Sequence, residues 1–387
     1  MDINKKLNNS IDKNLSYKLM SFCGGLVFYA PVSLLIRTSK GITIEQFFIL
    51  QIILSFVTLL GEIPTGVIVD KIGYKKSLVL SQCLLTIARA MFLVADTMSW
   101  FVAEAVLEGI AFCFQSGTDS AYLYSVSGDV NYAKERAEST NWGTAGFILS
   151  TIFYALIFHY GGLIGLVVAT VITTFGGTVF AILLPQVNVK ERKAETRNKH
   201  TYRFQFSKEN VSLMLISGAL SLGWLEINYF YVDKFVSTGI SVEWMSLIIL
   251  GYSLVQMALP WLVKFLSKRK KYFISEVLII SAGMLLLLFV NKRWVFIPIM
   301  LLLPLLLDLA GVYVSKYTNV QIDAQHQEDN RATVLSVMNM GSDVLEIVFL
   351  FLSVVICEGT GNVTFLIAGA ILLLLGILTR RYVKGER

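Results

Sequence analysis

Gly66-Val67-Ile68-Val69-Asp70-Lys71-Ile72-Gly73-Tyr74-Lys75-Lys76 ends one apolar run and, with Ser77-Leu78-Val79-Leu80, opens the next. The first run arrives through Gly61-Glu62-Ile63-Pro64-Thr65 and stops in a turn that holds one acid and three lysines. This is the pattern of two membrane helices joined by a tight, wet, basic turn, and the rest of the chain repeats it. Of 387 residues, 55% are apolar and only 16% charged, whereas about a quarter of an ordinary soluble chain is charged. A helix needs about 20 mostly apolar residues to cross about 30 Å of hydrocarbon. Blocks of that kind lie near 17–36, 45–69, 76–96, 99–126, 140–159 and 162–184, then near 209–232, 241–266, 272–291, 294–318, 332–356 and 362–381. The sequence therefore predicts an all-α polytopic membrane protein with 12 transmembrane helices, six plus six.

A net charge of +6 would suit a nucleic-acid partner, but the basic residues lie in the turns between spans, so none is expected. Of the 33 Lys and Arg residues, 27 fall on one side, among them those of the turn at 71–76, the polar segment 185–208 and the two termini. The positive-inside rule makes that side cytoplasmic, in a multi-pass cell-membrane protein with both termini inside. The opposite turns hold Arg37, Lys40, Lys234, Lys292 and Arg293, which leaves Arg89 inside a span. Cys23, Cys83, Cys113 and Cys357 show neither redox nor metal-ligand spacing, so no metal or other cofactor is expected. The first 16 residues offer no cleavable signal, and the first span would serve for insertion.

The stretch 66–76 resembles the signature loop of the major facilitator superfamily, Gly-x-x-x-Asp-Arg/Lys-x-Gly-Arg/Lys-Arg/Lys, which joins the second and third membrane helices. Gly66, Asp70, Lys71, Gly73 and Lys75 match it, and Tyr74 stands where a base is usual. The halves also repeat at a constant offset: Lys75-Lys76 with Lys270-Lys271, Arg136 with Arg331, Ala137 with Ala332, and Gly146 with Gly341. The resemblance and the repeat together imply the major facilitator fold. Two pseudo-symmetric halves, 1–184 and 209–387, would be joined by a cytoplasmic linker, 185–208, with the substrate site between them near mid-membrane.

Ser116-Gly117-Thr118-Asp119-Ser120-Ala121-Tyr122-Leu123-Tyr124 resembles a pattern in the fourth helix of a facilitator branch that includes macrolide and other antibiotic efflux proteins. Arg331-Ala332-Thr333 resembles the start of that branch's eleventh helix. The resemblance implies that Asp70 faces the helix start at Arg331, where an acid gains roughly 0.3–1 kcal/mol from the helix dipole. It also implies that Lys71 or Lys75 pairs with Asp119, so that the contacts latch the outward-facing state. Two departures speak against proton antiport. Ala105 stands where many proton-coupled exporters carry Arg, and Gly143 and Gly146 lack the later Gly-Pro of the antiporter motif.

Eight acids fall inside the spans: Glu62, Glu104, Glu108, Asp119, Glu226, Asp308, Asp343 and Glu346. Arg89 is the single base expected with them. Each charge at mid-bilayer costs about 2.5–3.5 kcal/mol, so most of these acids need a proton, a cation or a water cavity. Glu104 and Glu108, four apart, share a helix face, either as a functional pair or solvated near the outer water. Asp343 and Glu346 share a face deeper in the eleventh span. Glu226, followed by Asn228, Tyr229 and Tyr231, reads as a cavity wall or as an interfacial belt. Asp308 stands alone among leucines after Pro304, and Arg89 is a candidate ion-pair partner of Glu62.

This pattern suits a secondary active transporter that exports a small amphipathic compound, such as a drug, antibiotic or metabolite, in exchange for protons. The alternative is an uptake permease for a small polar nutrient. A membrane enzyme is disfavoured, because His159, His200 and His326 form neither a catalytic triad nor a metal cluster. The chain lacks a Gly-x-x-x-x-Gly-Lys-Ser/Thr phosphate loop, which argues against an ATP-driven pump, and nothing suggests a non-transporting sensor. The partners expected are the substrate, protons and the lipid bilayer, with the chain acting as a monomer.

Overall fold

The computed structural model describes residues 14–187, 207–231, 234, 238–239, 245–266, 272–290, 292–356 and 362–384. Residues 188–206, most of the expected linker, lie outside them. The described residues are nearly all helical, and they divide into two compact units. Residues 129–137 belong to the second unit, although they stand within the first half of the sequence.

The first unit contains α1 (Leu15–Gly25), a 3-10 turn (Ala30–Val32), α2 (Ser33–Ser39), α3 (Ile44–Ile72), α4 (Tyr74–Val94), α5 (Met98–Gln115) and α6 (Thr118–Ile182). The long run of α6 is not one helix, because Gly128 and Gly162 leave helical geometry and divide it. Local chemistry sets the boundaries. Thr43 caps α3 by accepting from Gln46 N at 3.2 Å, while the Gln46 side chain accepts from Thr43 N at 3.0 Å. The expected span 99–126 is likewise two pieces, parted at Ser116 and Gly117, where Gly117 has a φ of 67°.

The helices are built for lipid. On α3, Ile52, Phe56 and Leu60 lie four apart on one exposed apolar stripe, whereas α4 buries Ser77, Ser81, Gln82 and Arg89. Polar groups point inward because hydrocarbon cannot bond them. Ser77 and Ser81 on α4 donate to Phe114 O at 3.0 Å and Ala111 O at 2.8 Å, which fixes α4 against α5. Where α1 crosses the start of the fifth pass, the backbones nearly touch. A Cβ on Gly25 would stand 2.0 Å from Gly143 O, and one on Gly146 would stand 2.2 Å from Phe22 O.

The second unit contains α7 (Lys208–Leu225), a π turn (Glu226–Phe230), α8 (Met245–Gln256), α9 (Leu259–Leu266) and α10 (Tyr272–Leu287). These are followed by α11 (Arg293–Ala324), a 3-10 turn (Glu328–Asn330), α12 (Arg331–Ile356) and α13 (Asn362–Lys384). Its core packs Leu278, Ala282 and Leu285 of α10 with Phe365, Ala368 and Leu372 of α13. The sequence repeat has a structural counterpart here. Gly341 faces Met214 on the first helix of this half, as its match Gly146 faces Phe22 on the first helix of the other. Residues 129–137 join this unit through the Tyr132 hydroxyl, bonded to Ser315, and through Asp129, paired with Lys316 at 3.3 Å.

Among the described residues, seven helices are long and apolar enough to cross a membrane, one of them the interrupted run Met98–Ile182. Shorter apolar helices lie at Phe273–Leu287 and Val363–Leu378. With that run divided at its breaks, the arrangement fits twelve spans.

Candidate substrate and coupling sites

The first pass was expected as a continuous span over 17–36, but it is broken. α1 ends at Gly25, residues 26–29 are non-helical, and helix resumes only with the 3-10 turn and α2. Backbone groups freed inside a membrane must be bonded by neighbours. Two threonines of the stretch 163–182 do so. Thr170 Oγ1 accepts from Phe28 N at 3.0 Å, and Thr173 Oγ1 donates to Leu26 O at 2.9 Å. Broken membrane helices of this kind line substrate sites in transporters.

Beyond the break, Arg37 was expected in an outer turn but is only 5% exposed. Its Nη2 donates to Glu104 Oε2 at 3.0 Å and Oε1 at 3.3 Å, and its guanidinium lies 4.4 Å from the Phe92 ring centre. Phe47 and Phe101 complete an aromatic cage around it, and Tyr29 stacks on Phe92 at 5.0 Å. Glu104 is 1% exposed, so the solvated alternative fails for it. Glu108 follows one turn along α5 on the same face and lies within electrostatic reach of Glu104. Arg89 donates to Thr174 rather than to Glu62, and it lies within electrostatic reach of Glu108. The first unit thus sets two acids beside two bases, and the expectation of one buried base is corrected. Lys234 of the second unit, also expected in water, is 1% exposed.

In the second unit Glu226 is 0% exposed, and Thr364 of α13 donates to its Oε2 at 3.0 Å. The interfacial-belt alternative therefore fails for it. Asp308 does not stand alone, since Gln256 Nε2 of α8 donates to its Oδ2 at 2.8 Å. Asp343 Oδ2 is buried without a hydrogen-bond partner, and Glu346, three residues on, lies within its electrostatic reach. Among the described residues none of these four acids forms an ion pair. Arg331 is buried at the start of α12, where it pairs with Asp323 and donates to Asn319 Oδ1 at 2.8 Å.

At the signature loop, Gly66 is buried, Asp70 lies half-buried in the last turn of α3, Lys71 is exposed, and Lys75 is half-buried at the start of α4. Asp119 accepts from Ser120 N at 2.7 Å in the first turn of α6. The Major Facilitator Superfamily model matches residues 18–325, most of the chain. The protein belongs to this superfamily. An uncharacterized MFS-type transporter of Bacillus subtilis, YxaM, is 21% identical over 202 residues. That match covers 49% of this facilitator and 50% of the relative, so the chain spans about half the length of the curated relative it matches.

Solved structures share the fold of this facilitator. A facilitator structure of FucP in the outward conformation has a TM-score of 0.73 at 13% identity, covering 96% of this chain and 98% of that one. A variant of the Escherichia coli fucose:proton symporter FucP gives 0.65 at 13%, over 94% and 96%. The human organic anion transporter MFSD10 gives 0.65 at 14%, over 95% and 97%. At these identities the likeness shows the fold alone.

Sequence reasoning missed Arg37, Thr170 and Thr173. The threonines of this facilitator do carry a readable signal, since Thr170, Thr174 and Thr178 recur four apart on one face of an otherwise apolar run. Gly73 shows why the loop needs its second glycine. With φ 90° and ψ 153° it closes α3 and opens α4 in a region essentially reserved for glycine. Gly73→Leu and Gly73→Asn are each expected to cost about 1–3 kcal/mol. Asparagine brings no relief there, because it tolerates only the left-handed helical region. Melting of the purified variants checks this, and an Asn variant as stable as the unmodified protein would contradict it.

Proposed function

We propose that this facilitator is a proton-coupled exporter of a small amphipathic compound, working by alternating access in the cell membrane with both termini inside. The observation that carries the reading is Asp343, whose Oδ2 is buried without a hydrogen-bond partner, since a lone carboxyl in a span is best accommodated by taking up a proton. Asp343 and Glu346, without an ion-pair partner among the described residues, are the second-unit groups assigned to proton transfer. The motif at 116–124 supports the efflux branch. In this reading Asp70 faces the helix start at Arg331, and Lys71 or Lys75 pairs with Asp119, closing a latch. The fucose:proton symporter of similar fold keeps proton-coupled uptake of a polar nutrient as the second reading.

Proteoliposomes with a trapped pH dye and a panel of amphipathic compounds test the coupling. An imposed pH gradient should drive at least one compound against its own gradient, with protons moving oppositely. Asp343→Asn or Glu346→Gln should abolish gradient-driven flux and leave substrate exchange intact. If flux in the unmodified protein ignores the pH gradient, proton coupling is wrong and a uniporter or sodium-coupled carrier takes its place. Protons moving in the same direction as the compound would select the uptake reading.

A further inference from the structure

At the offset that pairs Lys75-Lys76 with Lys270-Lys271, the signature loop has a counterpart in the second half whose chemistry is different. Trp261 stands at the position of Gly66, Lys264 at that of Val69 and Phe265 at that of Asp70. The acid is lost while the bases multiply. Lys264, Lys268, Arg269, Lys270 and Lys271 fall in a stretch without any acid between Glu243 and Glu276. Lys264 lies within the described residues and the other four bases outside them.

α9 turns the substituted positions outward. Leu259 and Val263 are buried, and the Tyr313 hydroxyl of α11 donates to Val263 O at 3.3 Å, which fixes this face of the helix against its unit. On the other face Trp261 and Phe265, one turn apart, are 65% and 69% exposed, and their rings stack 5.7 Å apart at 10°. Lys264 is exposed beside them. Leu254 and Met257, 57% and 39% exposed, carry the apolar stripe back along the span.

We infer that this surface holds an anionic phospholipid. Lys264 meets the phosphate, the shelf of Trp261 and Phe265 packs on the glycerol, and an acyl chain runs along Met257 and Leu254. Aromatic rings suit that level because one end of them is apolar and the other wet. Charge complementarity selects the head group, since runs of bases directly beyond a membrane span attract anionic lipid. The rings by themselves favour the opposite choice, because cation–π attraction draws the ammonium of a zwitterionic lipid. Head-group preference at Trp261 therefore reports whether the bases or the rings decide.

Quenching of tryptophan fluorescence by brominated lipid tests the site on the full chain in nanodiscs, and it depends neither on transport nor on which side is cytoplasmic. One protein keeps Trp261 and another Trp100, with the other five tryptophans replaced by Phe. Trp100 is the control, 47% exposed in a stretch without bases between Arg89 and Lys134. Brominated phosphatidylglycerol should outcompete brominated phosphatidylcholine by about fivefold at Trp261 and not at Trp100. Lys264→Gln should lower the ratio, and replacing Lys268, Arg269, Lys270 and Lys271 by Gln as well should bring it to one. Native mass spectrometry needs no tryptophan replacement: the unmodified chain should retain phosphatidylglycerol over phosphatidylcholine, and Lys264→Gln should retain less. Equal quenching at Trp261, stronger quenching by the zwitterionic lipid, the same preference at Trp100, or a preference that survives loss of all five bases overturns the assignment.

Discussion

Arg37→Met is expected to destabilise the protein by about 3–5 kcal/mol, the cost of leaving one partner of a buried ion pair uncompensated. The residue left behind is Glu104, held at 3.0 Å from the guanidinium and almost wholly out of contact with solvent. The phenylalanine cage around Arg37 sharpens the effect, because Phe47, Phe92 and Phe101 offer no hydrogen bond to a stranded carboxylate. The double variant Arg37→Met/Glu104→Leu should be markedly more stable than Arg37→Met alone, since replacing both charges with apolar groups of similar size is often neutral. Thermal unfolding of the purified variants makes the comparison. If the double variant melts no higher than the single one, the loss comes from packing and the ion pair is not what holds this corner.

Gly25→Val is expected to prevent stable folding of the first unit. The obstacle to a Cβ at this position is backbone, with Gly143 O at 2.0 Å, Gly143 C at 2.9 Å and Phe147 N at 3.0 Å, so no rotamer change relieves it. Overpacking a core costs typically about 1–3 kcal/mol when side chains can yield, and a helix crossing that must separate exceeds that range. Gly146→Val should fail in the same way against Phe22 O. Gly24→Val is the control, because it is exposed and a Cβ there meets nothing within 4 Å. Yield of monodisperse protein after membrane extraction separates the cases. A Gly25→Val protein recovered as well as Gly24→Val would mean that α1 and the fifth pass do not meet there.

The membrane class, the helical passes and the family were legible in the chain because they rest on local quantities. A run of about 20 apolar residues dictates a span whatever its neighbours are. The loop at 66–76 carries its own turn chemistry, in Gly73, and its own charges. The acids inside the spans were legible for the same reason, since Glu104, Glu226, Asp308 and Asp343 each stand out against an apolar run. Their partners were not. Arg37 looks like a loop residue because it follows the last apolar stretch of its span, and only the aromatic residues of α3, α4 and α5, brought together in space, make it an interior cation.

The breaks were illegible for a related reason. Pro31 takes away the donor for Val27 O and disfavours helix at Ala30, which signals a kink, but nothing in the sequence says that the chain leaves helical geometry over residues 26–29. The chain can leave helical geometry there because Thr170 and Thr173, far away in sequence, bond the freed backbone groups. The π turn at Glu226 is the same kind of case, one residue of register with no sequence signal of its own. By itself the sequence determined which segments enter the membrane and which of their residues are costly there, because transfer from water to lipid is a property of each residue and its immediate neighbours. Tertiary structure alone decided which acid meets a base, which meets a threonine or glutamine, and which keeps an oxygen unbonded, because hydrogen bonds and ion pairs act over about 3–4 Å between atoms that only folding brings together.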